Sequence, residues 1–164
     1  MNWNASTFFR RLTGANRFAA EHGYKFAEVS GLEGFHGALG KALNTKAFVC
    51  VSDTSAGAME INNAPHTQRV KEIFMARRHA AADDKARNEA MDNMRELFRQ
   101  FMTVLLQEKI RLDEKSIYID PRITFKEIDK YFFMDCACAY FQIAVRTDTD
   151  LRFNPSEWTG GFQC

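Results

Sequence analysis

The segment that begins at Asp83 and Asp84 constrains the fold most strongly, because its apolar residues recur at helical spacing as far as Lys109. Either aspartate is a suitable N-cap, since its carboxylate can accept from a free amide of the first turn. The apolar stripe consists of Ala86, Ala90, Met94, Leu97, Phe101, Val104 and Leu105, widened by Met91, Phe98 and Met102. The pattern predicts one long amphipathic helix whose apolar side must pack against another layer.

The segments around this helix are rich in β-branched and aromatic residues, which favours strands. Strands are predicted at 47–51, 67–79, 116–120, 122–128, 131–135 and 136–147, and another strand is expected to start at 58–61. In the segment 136–147, one face is predicted to carry Ala137, Ala139, Phe141, Ile143 and Val145, and the other Cys138, Tyr140, Gln142, Ala144 and Arg146. This pattern is typical of a half-buried antiparallel strand. The sequence therefore predicts an α+β fold, with an antiparallel or mixed sheet, the long helix on one face and additional N-terminal helices.

The N-terminal part is predicted to be helical, with a first helix over 5–22 that ends at Gly23. Segment 29–43 has apolar residues at helical spacing but also glycines at 31, 34, 37 and 40. A glycine inside a helix costs about 1 kcal/mol relative to alanine, so this weak helix needs tertiary contacts or a neighbouring chain.

The domain prediction is a single domain over 1–164. It comprises a helical N-terminal part at 1–45, a sheet at 46–150 that includes helix 83–109, and an irregular tail at 151–164. With 46% hydrophobic and 26% charged residues, the chain has the composition of an ordinary globular domain.

The near balance of charges argues against the broad basic surface that is typical of a nucleic-acid binder. There are 22 Lys and Arg against 21 Asp and Glu, which gives a net charge of +1. The 15 Phe, 4 Tyr and 2 Trp are the unusual part of the composition. They imply either a core rich in phenylalanine or an aromatic surface that meets a partner.

Neither a secretory leader nor a membrane span is predicted, since no basic N-terminal region and no long apolar run is visible. The four cysteines lack the spacing of a zinc site or of a small disulfide scaffold, so reduced thiols are expected. Cys136 and Cys138 would share one face of a strand as small buried residues.

No catalytic, cofactor-binding or metal-binding residue is assigned. The glycine series before Lys41 does not fit a P-loop, because Phe35 and Ala42 occupy positions where that motif needs glycine and a hydroxyl. The four histidines fall in four different predicted elements and no H-E-x-x-H or G-x-S-x-G motif is present. Glu127 and Asp129 are interpreted as a solvated strand edge.

Two groups of residues are candidates for a subunit interface. The first is the basic cluster Arg77-Arg78-His79, which is either a solvated strand end or a contact with an acidic surface of another subunit or with DNA passing nearby. The second group comprises the aromatic residues near the two ends, which have no predicted core to join. These are Trp3, Phe8, Phe9, Trp158 and Phe162.

The order of the elements from about Leu32 to Val145 resembles that of bacteriophage tail-terminator and tail-completion (neck) proteins. The shared order is a leading helix, the strand at 47–51, the strand pair at 58–79, the helix from Asp83 and the closing strands from Tyr131. The resemblance implies a non-enzymatic virion protein without cofactors that forms a ring with copies of itself, commonly six. Such a ring caps the tail tube and joins it to the neck or head, so other tail or neck proteins are the expected partners. The expected location is the virion, and the host cytoplasm during assembly, with no membrane contact.

Two other classes of function stay open. One is a small intracellular enzyme or ligand-binding domain, whose site would be a dominant closed pocket with convergent polar groups. The other is a non-viral adaptor protein that binds its partner through the polar helix face from Arg87 to Gln100.

Overall fold

The structure, a computed structural model, describes residues 3–41, 44–80, 83–128 and 135–157. Within these ranges the helices are α1 (Ala5–Ala15), α2 (Arg17–Glu21), α3 (Gly31–Lys41) and α4 (Asp84–Asp113). The strands are β1 (Tyr24–Val29), β2 (Ala47–Ser52), β3 (Ala56–Glu60), β4 (His66–Arg78), β5 (Ile117–Ile119), β6 (Phe125–Ile128) and β7 (Cys136–Asp148). A short 3₁₀ turn follows at Pro155–Glu157. The predicted α+β class is confirmed.

The sheet is organised around β4 and β7, which pair antiparallel over their whole length, from His66 opposite Asp148 to Arg78 opposite Cys136. Each of these two strands carries two shorter strands along its other edge. β2 and β3 lie end to end beside β4, and β6 and β5 lie end to end beside β7. β1 extends the sheet beyond β2 and runs parallel to it, so the sheet is mixed.

Helices α1 and α4 cover one face of the sheet, and the main core lies between the two helices and this face. The strands contribute alternate residues to this face, as the antiparallel pleat requires. From β4 and β7 these include Ile73, Met75, Phe141, Ile143 and Val145, and from α4 they include Met94, Leu97, Phe101 and Leu105. The predicted sorting of residues between the two faces of β7 is thereby confirmed.

The opposite face is only partly covered. α3 packs over one half through Phe35, whose ring stacks on that of Phe74 at 5.0 Å between centroids. The other half is polar: the Tyr140 hydroxyl donates to Glu72 Oε1 at 2.8 Å, and Gln142 Nε2 donates to the same oxygen at 3.3 Å. An apolar partner therefore has little to bind on this half of the face.

Several predicted boundaries are wrong. The first predicted helix is broken at Asn16, whose Oδ1 accepts from Ala19 N at 2.7 Å and so starts a second helix. The predicted helical part at 1–45 also contains β1, which Gly23 introduces with a φ of 72°. α4 continues to Asp113, and Val104, assigned to its buried stripe, is 43% exposed. The strand predicted at 131–135 begins outside the described residues.

Replacing Gly37 with alanine should stabilise α3. A Cβ built at this position meets nothing within 4 Å, and Gly37 is not in the left-handed region. The substitution removes the entropic cost of a helical glycine, so we expect a gain of roughly 0.5–1 kcal/mol in the free energy of unfolding. Urea unfolding followed by circular dichroism measures it. The control is Gly23→Ala, which should destabilise because φ is positive there.

Candidate assembly surfaces

The structure places Phe9, one of the predicted interface aromatics, in the core. Its side chain is 0% exposed, and its ring lies 5.9 Å from both Phe101 and Phe141 between centroids. Its position on the inner side of α1 buries it against α4 and the sheet. The assignment of Phe9 to an interface is therefore wrong.

Trp3 and Phe8 are partly buried against the same core, with 5.4 Å between their ring centroids. Both line a cleft of about 210 Å³, which also includes Arg11 and Arg111. Part of the aromatic surface of Trp3 and Phe8 thus packs against the core, and part of it lines this cleft. Trp158 and Phe162, the other two predicted aromatics, lie outside the described residues.

The basic cluster at the end of β4 forms contacts with other parts of the same chain. Arg77 Nη1 donates to the carbonyl oxygen of His22 at 2.7 Å, at the end of α2. Arg78 Nε donates to the carbonyl oxygen of Thr45 at 3.1 Å, just before β2. The amide of His79 donates to Asp135 O at 2.9 Å. These bonds tie three connecting segments to the sheet, and all three side chains are half-buried.

The polar face of α4 is also engaged within the chain. Arg95 forms a double hydrogen bond with Glu127 of β6, at 3.0 and 2.7 Å, and a third bond with Asp92 at 2.9 Å. The Arg95 guanidinium holds the pKa of the Glu127 carboxyl below its usual range. Glu127, interpreted from the sequence as a solvated edge, thus joins β6 to α4.

Three cysteines, Cys50, Cys136 and Cys138, are buried between the sheet and α3, as expected for the last two. Burial raises the pKa of the Cys50 thiol to about 12 and also raises the pKa of the other two. We therefore expect all three to resist iodoacetamide at pH 8 and to react after denaturation, because the thiolate is the reactive form. Peptide-resolved mass spectrometry measures this. Rapid labelling of Cys50 in the folded protein would contradict the buried assignment.

An apolar groove lies between α4 and the connection from β5 to β6. Its volume is about 350 Å³. Its apolar lining comes from Phe98, Met102, Leu105 and Leu106 of the helix and from Ile119, Pro121, Ile123 and Phe125 of the outer wall, and two charged residues, Lys109 and Asp120, also line it. Leu106 and Phe125 are 57% and 55% exposed, so the groove opens to solvent. We call this surface the groove.

Hydrogen bonds donated by two backbone amides hold the outer wall of the groove. The Asp120 amide donates to Ala144 O at 2.9 Å, and the Arg122 amide donates to Asp120 Oδ1 at 2.8 Å. The Phe125 ring lies 5.4 Å from the Phe98 ring between centroids, which links the two walls. The groove is thus formed before any partner binds.

A second apolar surface lies where β3 turns into β4. Met59 and Ile61 are 53% and 81% exposed. Asn62 braces this hairpin turn, because its Nδ2 donates to Glu60 Oε2 at 2.8 Å and its Oδ1 accepts from Ala64 N at 3.0 Å. The Thr149 amide donates to Pro65 O at 2.9 Å and anchors the turn to the end of β7. We call residues 59–65 the tip.

The tip and the groove lie on opposite edges of the sheet, since β3 borders β4 whereas β5 and β6 border β7. Sequence reasoning missed both surfaces. The signals were weak but present: Ile61 directly precedes a turn-forming Asn-Asn-Ala-Pro segment, and Leu106 and Ile110 widen the apolar stripe of α4 beyond one buried face.

Another cleft, of about 510 Å³, crosses the end of α4 and β5 and has charged residues in its walls. Lys109 pairs with Asp113 at 2.7 Å, and Arg146 lies 5.4 Å from the ring centroid of Tyr118. Lys109 and Asp113 thus pair with each other, and the Arg146 guanidinium lies against an aromatic ring.

In the part of the chain that the structure describes, no three His, Cys, Asp or Glu side chains are close enough to hold a metal ion. Across the same residues, no helix has the length and apolarity needed to span a bilayer. No protein-family model matches the chain, and no curated protein is significantly similar to it.

Proposed function

We propose that this protein is a structural subunit that assembles head to tail with copies of itself into a ring, at the end of a phage tail tube or in the neck. The observation that carries the proposal is the presence of two unlike apolar surfaces, the tip and the groove, on opposite edges of one sheet. An exposed apolar groove or patch on a protein surface often marks a site where a partner binds.

Two unlike surfaces favour a closed ring over a two-fold dimer. A two-fold dimer uses the same patch on both subunits, whereas a head-to-tail contact uses two different patches and closes when the rotation per subunit is a fraction of a full turn. The near-neutral charge of +1 also fits subunits that pack side by side without strong repulsion. The order of elements resembles that of tail-terminator and neck proteins. This resemblance is the reason for placing the ring in a phage tail or neck.

Sedimentation velocity at several protein concentrations tests the assembly, and negative-stain electron microscopy tests the shape. We expect a concentration-dependent species of defined size that forms rings. A strict monomer at every concentration, also in the presence of tail-tube protein, would contradict the proposal. A gene that lies beside capsid, portal or tail-tube genes would support the virion assignment against an adaptor or an enzyme.

A further inference from the structure

We propose that the backbone carbonyl groups of residues 52–54 form a site for one monovalent cation, and that the ammonium group of Lys71 fills this site. The site lies beside β4, where β2 ends and β3 begins. It belongs to a single copy of the chain, so the inference goes beyond the proposed function and does not depend on it. We call these three carbonyl groups the cradle.

The register of the sheet creates the cradle. The ladder with β4 stops after Val51 and resumes at Ala56. Between these points residues 52–55 face only residues 71 and 72 of β4, so this side carries two extra residues. Such an insertion is a bulge, and it takes backbone groups out of the regular ladder. Ser52 is fully buried, and a buried carbonyl needs a donor, which here comes from a side chain.

Lys71 supplies that donor. Its Nζ donates to Ser52 O and Asp53 O at 3.0 Å each, and to Thr54 O at 3.2 Å. An ammonium group has three N–H donors on one nitrogen, so these bonds use all of them. Carbonyl oxygens that converge on one point also bind a bare monovalent ion, because they replace its shell of water. The Lys71 ammonium thus stands where such an ion would lie.

Bonds other than those of Lys71 hold the cradle in place. The Asp53 amide donates to Val29 O at 2.9 Å, and Asp53 Oδ2 accepts from Ser30 Oγ at 2.8 Å. The hydroxyl oxygens of Ser52 and Thr54 are 2.8 Å apart and hydrogen-bonded. These bonds tie the bulge to the end of β1 and to itself. We therefore expect the three carbonyl groups to keep their arrangement when the ammonium group is removed.

The surroundings of Lys71 favour a singly charged ion. The cradle consists of neutral carbonyl groups, whereas divalent ions are usually bound with the help of carboxylates. A cavity of about 40 Å³ adjoins Lys71, more than the roughly 10–15 Å³ that one water molecule needs. An ion in the cradle of a shortened variant therefore has room to keep a water ligand. The cavity is lined by Trp3, Ser55, Arg69, Lys71, Val145 and Thr147.

The experiment is urea unfolding of the full-length Lys71→Ala variant in chloride salts of ammonium, potassium and tetramethylammonium at equal ionic strength. Without the first two ions, the variant should unfold at a lower urea concentration than the wild type, because three carbonyl groups lose their donor. Ammonium and potassium should raise its midpoint with concentration, since an ion that binds only the native state stabilises it. Tetramethylammonium has no N–H group and is too bulky for the cradle, so it should not. The wild type should respond equally to all three salts.

Two further variants serve as controls. Lys25→Ala removes an exposed lysine of β1 in the same sheet, and its midpoint should stay close to that of the wild type in every salt. Lys71→Arg keeps the positive charge, but a planar guanidinium cannot direct three N–H groups to one point as an ammonium does. It should therefore unfold at a lower urea concentration than the wild type and show no preference for ammonium.

The ion dependence of Lys71→Ala decides the inference. A midpoint that is the same in the three salts, or that equals the wild-type midpoint, would overturn it. If the variant is unfolded in every salt, nuclear magnetic resonance of the lysine ammonium groups in the wild type decides instead. The Nζ protons of Lys71 should exchange with water more slowly than those of Lys25 and should show couplings across hydrogen bonds to the carbonyl carbons of residues 52–54. Equally fast exchange at both lysines would overturn the inference.

Discussion

Replacing Phe9 with alanine should lower the free energy of unfolding by about 3–5 kcal/mol, the range observed when a buried phenylalanine is truncated. The side chain is fully buried and its ring meets the rings of Phe101 and Phe141, which belong to α4 and β7. The lost ring leaves a cavity where α1, α4 and the sheet meet, and the backbone of three elements cannot easily close it. Chemical denaturation of the variant measures the change.

The control for this experiment is Ile61→Ala, which should behave in the opposite way. Ile61 is 81% exposed, so the free energy of unfolding should change by no more than about 0.5 kcal/mol, while self-association should weaken. A Phe9→Ala variant that unfolds like the wild type but fails to assemble would contradict the core assignment and show that Phe9 belongs to a subunit interface. The two variants together therefore separate core from contact surface.

Replacing Phe35 with alanine should also lower the free energy of unfolding by about 3–5 kcal/mol, and it should release α3 from the sheet. Phe35 is 0% exposed and stacks on Phe74 at 5.0 Å, whereas the glycines of α3 give the helix little stability of its own. Without this side chain the amides of α3 should lose protection from hydrogen exchange before the rest of the sheet does.

Hydrogen exchange with mass spectrometry, combined with urea unfolding, measures both effects of Phe35→Ala. Glu33→Ala is the matched control, since Glu33 is an exposed residue of the same helix and its loss should cost only a few tenths of a kcal/mol. Unchanged protection of α3 in the Phe35 variant would mean that other contacts hold the helix.

The central elements of the fold could be predicted from the sequence because their patterns are long. α4 repeats its apolar residues over many turns, and β4 and β7 are each thirteen residues long. Asp83 was also correctly proposed as one of two N-caps, since its Oδ1 accepts from Ala86 N at 2.9 Å. In a long periodic pattern, one residue that departs from the period does not change which element is predicted.

β1 could not be predicted because it is short and its strand conformation depends on pairing with β2. Tyr24 and Val29, its two buried residues, lie on opposite faces of the sheet, and no alternation over six residues reveals this. The break at Asn16 was missed for a similar reason, since the apolar spacing continues across it. Asn16 Nδ2 donates to Gln100 Oε1 of α4 at 2.8 Å, a contact between residues far apart in sequence.

The candidate surfaces were harder to predict than the fold. An exposed apolar residue and a buried one have the same side chain, and only its place in the sheet distinguishes the exposed Ile61 from the buried Ile73. Aromatic residues near the N-terminus were assigned to an interface because no core was visible for them. α4 and β7 supply that core for Phe9 from residues about 90 to 130 positions later.

The full-length pairing of β4 with β7 has a consequence for synthesis of the chain. β4 ends at Arg78 and its partner begins at Cys136, so a nascent chain contains α4, β5 and β6 before the centre of the sheet can close. Until then one whole edge of β4 is without its partner, and β5 and β6 have no strand to join. A chain that stops before β7 therefore exposes a long unpaired strand edge, the kind of surface through which incomplete chains aggregate.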